Sequence, residues 1–230
     1  APYQRQDRPS QGDDVAWAES NAIVFANSVL GARTHRYGDF IDIAAAITGR
    51  VPNAGLHVDA NRKATVVVDV SALPPSLLGA SVLYPCLGFV LGRRCPGQIP
   101  VIVGLVGSAT EDNLKALGAA AASSGNLAMF HAVGLTPEAP SLLDACQGVT
   151  PLATIKITSA DIRGARDELS STADRPLATV SLGTPHYSLA EIGRLYELLA
   201  GSLIASTVAF YVSTARETLH EAMLHGWVSP

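Results

Sequence analysis

Two stretches of this 230-residue sequence gather polar and charged side chains that can grip a small ligand. The first, "SLGTPHYSLAEI" from Ser181 to Ile192, sets Thr184, Pro185, His186, Tyr187 and Ser188 between an apolar run and an amphipathic one. Ser188 and Glu191 have the spacing of a capping box, and Thr214 and Glu217 repeat it one unit later. Each box would turn helix N-terminal amides toward an anion. His186 stands between a proline that fixes the backbone and that helix start. The second stretch, "SNAIVFANSVLGARTHRYGDF", places Ser20, Asn21, Asn27 and Ser28 in an otherwise apolar helix, although Ser and Asn weaken helix interiors. Arg33 and Arg36 follow Gly31, and Arg50 follows Gly49. Guanidinium groups hold carboxylates in bidentate fashion, so these residues point to a small acid.

The elements that position them read as follows. A polar loop over 1–14 leads to a helix capped by Asp13 or Asp14 and stopped at Gly31. A second helix starts near Asp39 and ends at Gly49. From residue 63 onward apolar β-branched runs alternate with helical stretches: "KATVVVDVS", "IPVIVGL", "LAMFHAV", "ATIKIT", "LATVSLG" and "STVAFYVST" as strands. "PPSLLGASVLYPCLGFVLG" reads as one helical stretch broken or kinked at Pro85. Uninterrupted apolar strands alternating with helices predict an α/β fold: a parallel sheet with helices on both faces, preceded by an N-terminal helical segment. The expected division is residues 1–62, a loop and helical segment with a basic cluster, and residues 63–230, the alternating α/β domain. Ligands in such sheets sit beyond the C-terminal strand ends, which selects loops 104–110, 133–138, 158–161, 182–188 and 212–216.

Apolar residues make up 48% of the chain and charged ones 16%, so much of it must be buried. A formal charge of −4 argues against nucleic acid, which requires a basic face. Arg33, Arg36, Arg50, Arg62 and Lys63 form a local cluster that suits a small anion. No apolar stretch reaches the ~20 residues of a membrane span, and no signal peptide is visible, so a cytoplasmic location is expected. Cys86, Cys95 and Cys146 lack disulfide or metal-ligand spacing. No Gly-x-Ser-x-Gly elbow, P-loop, Cys-x-x-Cys or His-Glu-x-x-His string occurs, and the missing glycine fingerprint disfavours a nicotinamide oxidoreductase.

The strings "NSVLGART", "TGRVPNAGLH" and "GTPHYS", in that order, resemble the large-subunit catalytic region of aconitase X over the whole chain. The resemblance implies an aconitase-like fold and a dehydratase. It implies two candidate substrates, cis-3-hydroxy-L-proline and mevalonate 5-phosphate. "RYGDF" at Arg36 to Phe40, where the archaeal type tends to read R-E-G-G, favours hydroxyproline. It also implies an iron–sulfur cluster and a small swivelling domain or subunit that supplies a catalytic serine. Cys86, Cys95 and Cys146 do not match the family's ligand positions, which are expected before Ala1 and beyond Pro230. The chain is therefore expected to be a piece of a longer enzyme, inactive alone, or a degenerate relative.

Elimination of water from a β-hydroxy acid needs a Lewis acid on the leaving hydroxyl, a clamp on the carboxylate and a base for the α-proton. By the resemblance, the cluster is the Lewis acid. Arg33, Arg36 and Arg50 are the clamp, with Asn27 and Ser28 as polar neighbours. His186 and Ser188 are the candidate catalytic residues, with Thr214 and Arg216 lining the pocket. The base is expected outside this chain. The competing expectation is a non-catalytic scaffold or small-acid binder without a cluster.

Overall fold

The computed structural model describes residues 2–5, 7–38, 40–105, 107, 109–171 and 175–229. They fall into two compact units, one spanning Asp7–Ser170 and the other the N-terminal residues with Ser171–Pro230. The expected boundary at 62/63 lies inside the first unit. Asp39, the expected start of the second helix, lies outside the described residues.

The first unit opens with extended chain, not helix, at the two aspartates. Asp14 bridges Arg33 in parallel. Two backbone hydrogen bonds flank that bridge, Arg33 N donating to Asp13 O at 2.8 Å and Val15 N to Arg33 O at 2.9 Å. The backbone groups a helix start would leave open are thus already engaged. Helix α1 begins at Ser20, capped by the Glu19 carboxylate, runs to Phe25 and continues as a π-helical turn over Ala26–Leu30. Gly31 ends it at φ 69°, a left-handed position that favours glycine. Helix α2 covers Ile41–Thr48 and stops at Gly49 as expected, but buries none of its residues.

Strands β1 (Val66–Asp69), β2 (Pro100–Val103), β3 (His131–Ala132) and β4 (Ala153–Lys156) form one parallel sheet in the order β3-β2-β1-β4. The register sets Val67 beside Val101 on one side and Thr154 on the other. Between β1 and β2 lie α3 (Pro75–Leu78) and α4 (Leu83–Arg94). The break falls between these helices, not at Pro85. Pro85 sits in the first turn of α4, where a missing N–H costs no intrahelical bond. Helix α5 (Glu111–Gly125) carries a capping box from Thr110 and ends on Asn126 at φ 62°. Helices α6 (Leu142–Ala145) and α7 (Ser159–Leu169) complete the unit.

Val66, Val68 and Ile102 join the main core with Leu87 and Leu91 of α4, Leu117 and Ala121 of α5 and Ile162 of α7. On the opposite face Val67 and Val101 pack with Ala139, Ala145 and Cys146. The α/β reading of a parallel sheet flanked by helices therefore holds for this unit. Helices α4 and α5 approach backbone to backbone. A side chain at Gly92 or Gly125 would collide with the facing helix, and Ser124 Oγ donates to Phe89 O at 3.2 Å across the crossing. This explains why a chain so rich in Ala and Gly suits the fold.

The second unit holds a separate two-stranded parallel sheet of β5 (Thr179–Tyr187) and β6 (Ala209–Thr214), with helices α8 (Leu189–Leu199) and α9 (Arg216–Leu224). The six expected strands thus form two sheets among the described residues. The pairing is irregular between Leu182 and Tyr187, where Gly183 at φ 89° lies against the backbone of Ser213. No helix among the described residues is long and apolar enough to cross a membrane.

Candidate functional site

The site builds from the extended segment Arg33–Tyr37, which leaves the glycine stop of the π turn. On one side this segment pairs with Asp13–Val15; on another it meets the 3-10 turns Gly55–His57 and Asp59–Asn61. Arg33 forms an ion pair with Asp59 at 2.5 Å. Arg36 donates from Nη2 to Leu127 O at 3.2 Å. The Nε atoms of both arginines are buried and have no hydrogen-bond partner among the described residues. A buried unsatisfied donor is costly, so a guanidinium left in that state suits an acceptor that arrives with a ligand. Burial pushes the Arg36 guanidinium below its ordinary value, partly offset by Glu19.

A chain of titratable groups runs through the same segment. The Tyr37 hydroxyl is hydrogen-bonded to His57 Nε2, and His57 Nδ1 lies 2.6 Å from Asp14 Oδ1. The Asp14 carboxylate is half exposed, whereas the His57 side chain is 3% exposed. His35 packs edge-on to Tyr37, with ring centroids 5.9 Å apart. Burial holds the Tyr37 phenol above its ordinary value, against a lowering bond to the His35 backbone and with a smaller push from Asp14. Burial, then the neighbouring His57, holds His35 below the usual imidazole range.

Two clefts flank this chain. One, of about 310 Å³, is lined by His35, Gly55, Leu56, Asn61 and the approaches to β2 and β3, Gly97–Ile99 and Asn126–Met129. The arginine segment therefore meets the entrances of those strands rather than their exits, where the fold class had placed the ligand loops. The other, of about 460 Å³, is lined by Asp14, Trp17, Asp42, Gly49 and Arg50. Arg50 is thus brought to the far end of the Tyr37–His57–Asp14 chain.

Asn27 and Ser28 sit inside the first unit. Both are buried, at 1% and 2% exposure, and their polar atoms are committed inside the protein. Asn27 Nδ2 donates to Ala128 O, its Oδ1 accepts from Thr34 N and Arg62 Nη1, and Ser28 Oγ accepts from Phe130 N. These bonds account for the density of Ser and Asn in that helix. Arg62, read from sequence only as one of a basic cluster, is fully buried and clamps this region by donating to Leu56 O, Asn27 O, Ala32 O and Glu138.

In the second unit the Ser188 capping box is present, with Glu191 N donating to Ser188 Oγ at 3.1 Å and Ser188 N to Glu191 Oε2 at 2.8 Å. The expected Thr214 box is absent. Thr214 is the last residue of β6, its hydroxyl donates to Tyr187 O at 2.7 Å, and Ala215 takes the cap position without a side-chain bond. His186 lies within β5 rather than in a loop, and its carbonyl accepts from Gln4 Nε2 at 3.0 Å. Arg216 opens α9.

The cysteines do not fit a cluster. Cys86, Cys95 and Cys146 are all buried in apolar cores, and burial raises every thiol, Cys95 to about 11. Among the described residues no group of three or more His, Cys, Asp or Glu could hold a metal ion.

Comparison with known proteins decides the family. The model of the aconitase X first domain matches residues 1–60 and that of the second domain residues 64–167. The chain belongs to the aconitase X family. Cis-3-hydroxy-L-proline dehydratases of Pseudomonas aeruginosa and Hypocrea jecorina are 42% and 44% identical over 98% and 95% of this chain. This aconitase X chain spans only 39% and 37% of their lengths. The phosphomevalonate dehydratase large subunit of Methanothermobacter thermautotrophicus is 42% identical over 86% of the chain and 47% of its own. A crystal structure of Thermococcus kodakaraensis aconitase X in its holo form superposes with a TM-score of 0.87 at 34% identity, covering 98% of this chain and 56% of that one.

Sequence reading passed over Tyr37 and His57 and took Asp14 for a helix cap. The available signal was "NAGLH" followed by Asp59: a glycine turn that brings a lone histidine and an acidic residue against the arginines.

Proposed function

We propose that this chain is the acid-anchoring part of a hydro-lyase that eliminates water from a small β-hydroxy acid, cis-3-hydroxy-L-proline. The observation that carries the reading is the pair Arg33 and Arg36, whose buried Nε donors have no partner among the described residues. A substrate carboxylate supplies the missing acceptors, and its fixation orients the α-carbon. Arg50 offers a further guanidinium in the neighbouring cleft. Asp14 and Asp42 line that cleft with it. One cation beside two carboxylates suits a zwitterion with a ring ammonium and opposes a phosphate.

The second reading is mevalonate 5-phosphate. Its support is sequence identity: the Methanothermobacter large subunit matches this chain at 42%, as the Pseudomonas hydroxyproline dehydratase does. Identity does not separate the two substrates, and the charge of the Arg50 cleft favours hydroxyproline.

In this reading a small swivelling domain or subunit completes the enzyme, in keeping with relatives named as large subunits. Family membership supports an iron–sulfur cluster in the complete enzyme. Its ligands are proposed to lie outside the residues described here, and no step is routed through it. His186 and Ser188 remain the proposed catalytic residues of the second unit, with Thr214 and Arg216 as proposed substrate-binding residues.

The test is turnover by the complete enzyme. Water elimination from cis-3-hydroxy-L-proline, lost on Arg36→Met, is expected. Turnover of mevalonate 5-phosphate alone, or of neither compound, would overturn the reading.

A further inference from the structure

We infer that the outer face of α2, carried by Phe40, Ile43 and Ile47, seats the small partner that completes the enzyme, and that the partner receives it in an apolar groove. This rests on the two-part enzyme proposed above, not on the choice of substrate.

Helix α2 is inverted relative to a helix that serves only its own fold. Its eight residues carry one charge, Asp42, and none is buried. Asp42, Ala45, Ala46 and Gly49 line the Arg50 cleft. Steps of three, four and seven residues put them on one side of the helix. Phe40, Ile43 and Ile47, spaced by three and seven, fall on the opposite side and are 73%, 53% and 80% exposed. An amphipathic helix ordinarily turns its bulky apolar stripe toward the core and its small or polar stripe toward water. In α2 the small and acidic residues face the cleft and the large apolar ones face out. The cores packed on the two sides of the four-stranded sheet include no residue of α2, so its outer face is not part of either of them. A cluster of large apolar side chains on a fold already closed marks an interaction surface.

The backbone at Phe40 is a second sign. Its φ of 75° is left-handed, a conformation that a bulky residue rarely adopts, and it presents the ring at the head of the exposed stripe. Such strain is retained where a working surface requires it, and an aromatic residue is a frequent interface anchor.

The size of the relatives identifies the occupant. The chain spans 39% and 37% of the two hydroxyproline dehydratases, so most of such an enzyme lies outside these residues. The phosphomevalonate relatives, matched over 48% and 47% of their lengths, are themselves named large subunits, which points to a smaller companion. Three uncharged anchors along one side of a helix suit recognition of that helix by an apolar groove. Because α2 is one wall of the Arg50 cleft, a partner seated on it also fixes that wall.

The experiment uses the complete enzyme. Ile47→p-benzoylphenylalanine is irradiated and the cross-linked peptides are mapped by mass spectrometry. Adducts in the small partner are expected. Adducts confined to the large part or to a second copy of it, or no adduct at all, overturn the proposal. The double variant Ile43→Asp with Ile47→Asp should speed hydrogen exchange of the α2 amides by about tenfold or more while the β1 amides keep their protection. Unchanged exchange at α2 overturns the proposal as well. If the complete enzyme contains no small part, the two-part reading fails and this inference with it. A small part that is present but cross-links elsewhere sinks this inference alone.

Discussion

The Arg62 guanidinium, with no exposed surface, donates through Nε to both oxygens of Glu138 at 2.9 Å. The same group donates to the carbonyls of Leu56, Asn27 and Ala32, tying the 55–57 turn, the π-helical turn and the chain after Gly31 to one point. Removing one partner of a buried pair leaves the other charge without compensation. Arg62→Met and Glu138→Gln are therefore each expected to cost about 3–5 kcal/mol, read as a lowered urea midpoint. The double variant should lose less than the sum of the two. Additive losses would show that the two residues act independently.

How much of this was legible beforehand depends on the range of the interaction. Runs such as "KATVVVDVS" and "IPVIVGL" announce buried strands because their period is local, and β1 and β2 formed there. Gly31 and Gly49 announce helix stops because a left-handed backbone is a local demand. Asp14, Thr214 and Arg62 were misread because their partners are distant: Asp14 pairs with residue 33 and His57, Thr214 with Tyr187, and Arg62 with Glu138. A charge reads as solvated until the fold supplies its partner. The arginine segment was legible as a concentration of positive charge, but the contact of Tyr37 with His57 was not, since the turn at 55–57 that delivers His57 is specified by glycine geometry and packing.

The crossing of α4 and α5 gives a packing test. Gly92 and Gly125 face each other so closely that a Cβ at either would meet the other helix's backbone. Gly92→Ala should destabilise by about 1–3 kcal/mol although alanine favours helix, because overpacking outweighs propensity. Thermal unfolding measures it. A raised melting temperature would show that the helices can part without cost.

The thiols predict an alkaline limit. Burial raises Cys95 from 9.0 to about 11 and raises Cys86 and Cys146 as well. A folded value above the unfolded one means that the native state holds its proton more tightly. Stability is then fully present below pH ~9 and falls as pH rises toward 11, when unfolded thiols ionise and folded ones do not. The slope per thiol is at most about 1.4 kcal/mol per pH unit. Denaturation at pH 8 and pH 10 should show the loss, and Cys95→Ala should make it shallower. The native thiols should also resist alkylation at pH 8. An unchanged slope in Cys95→Ala would remove that thiol from the account.

Ser188 separates a structural role from a catalytic one. Its hydroxyl accepts from Glu191 N at 3.1 Å and so caps α8. Ser188→Ala should cost about 1 kcal/mol through that lost cap. Ser188→Asp keeps an acceptor at the same position and should restore most of the stability, since aspartate caps as well as serine. If Ser188 also serves the reaction, Ser188→Asp should be stable yet slow in the complete enzyme, because the added charge changes what a substrate acid would meet. Full turnover by the stable aspartate variant would leave Ser188 as a helix cap and nothing more, and would leave His186, Thr214 and Arg216 as the second unit's remaining candidates.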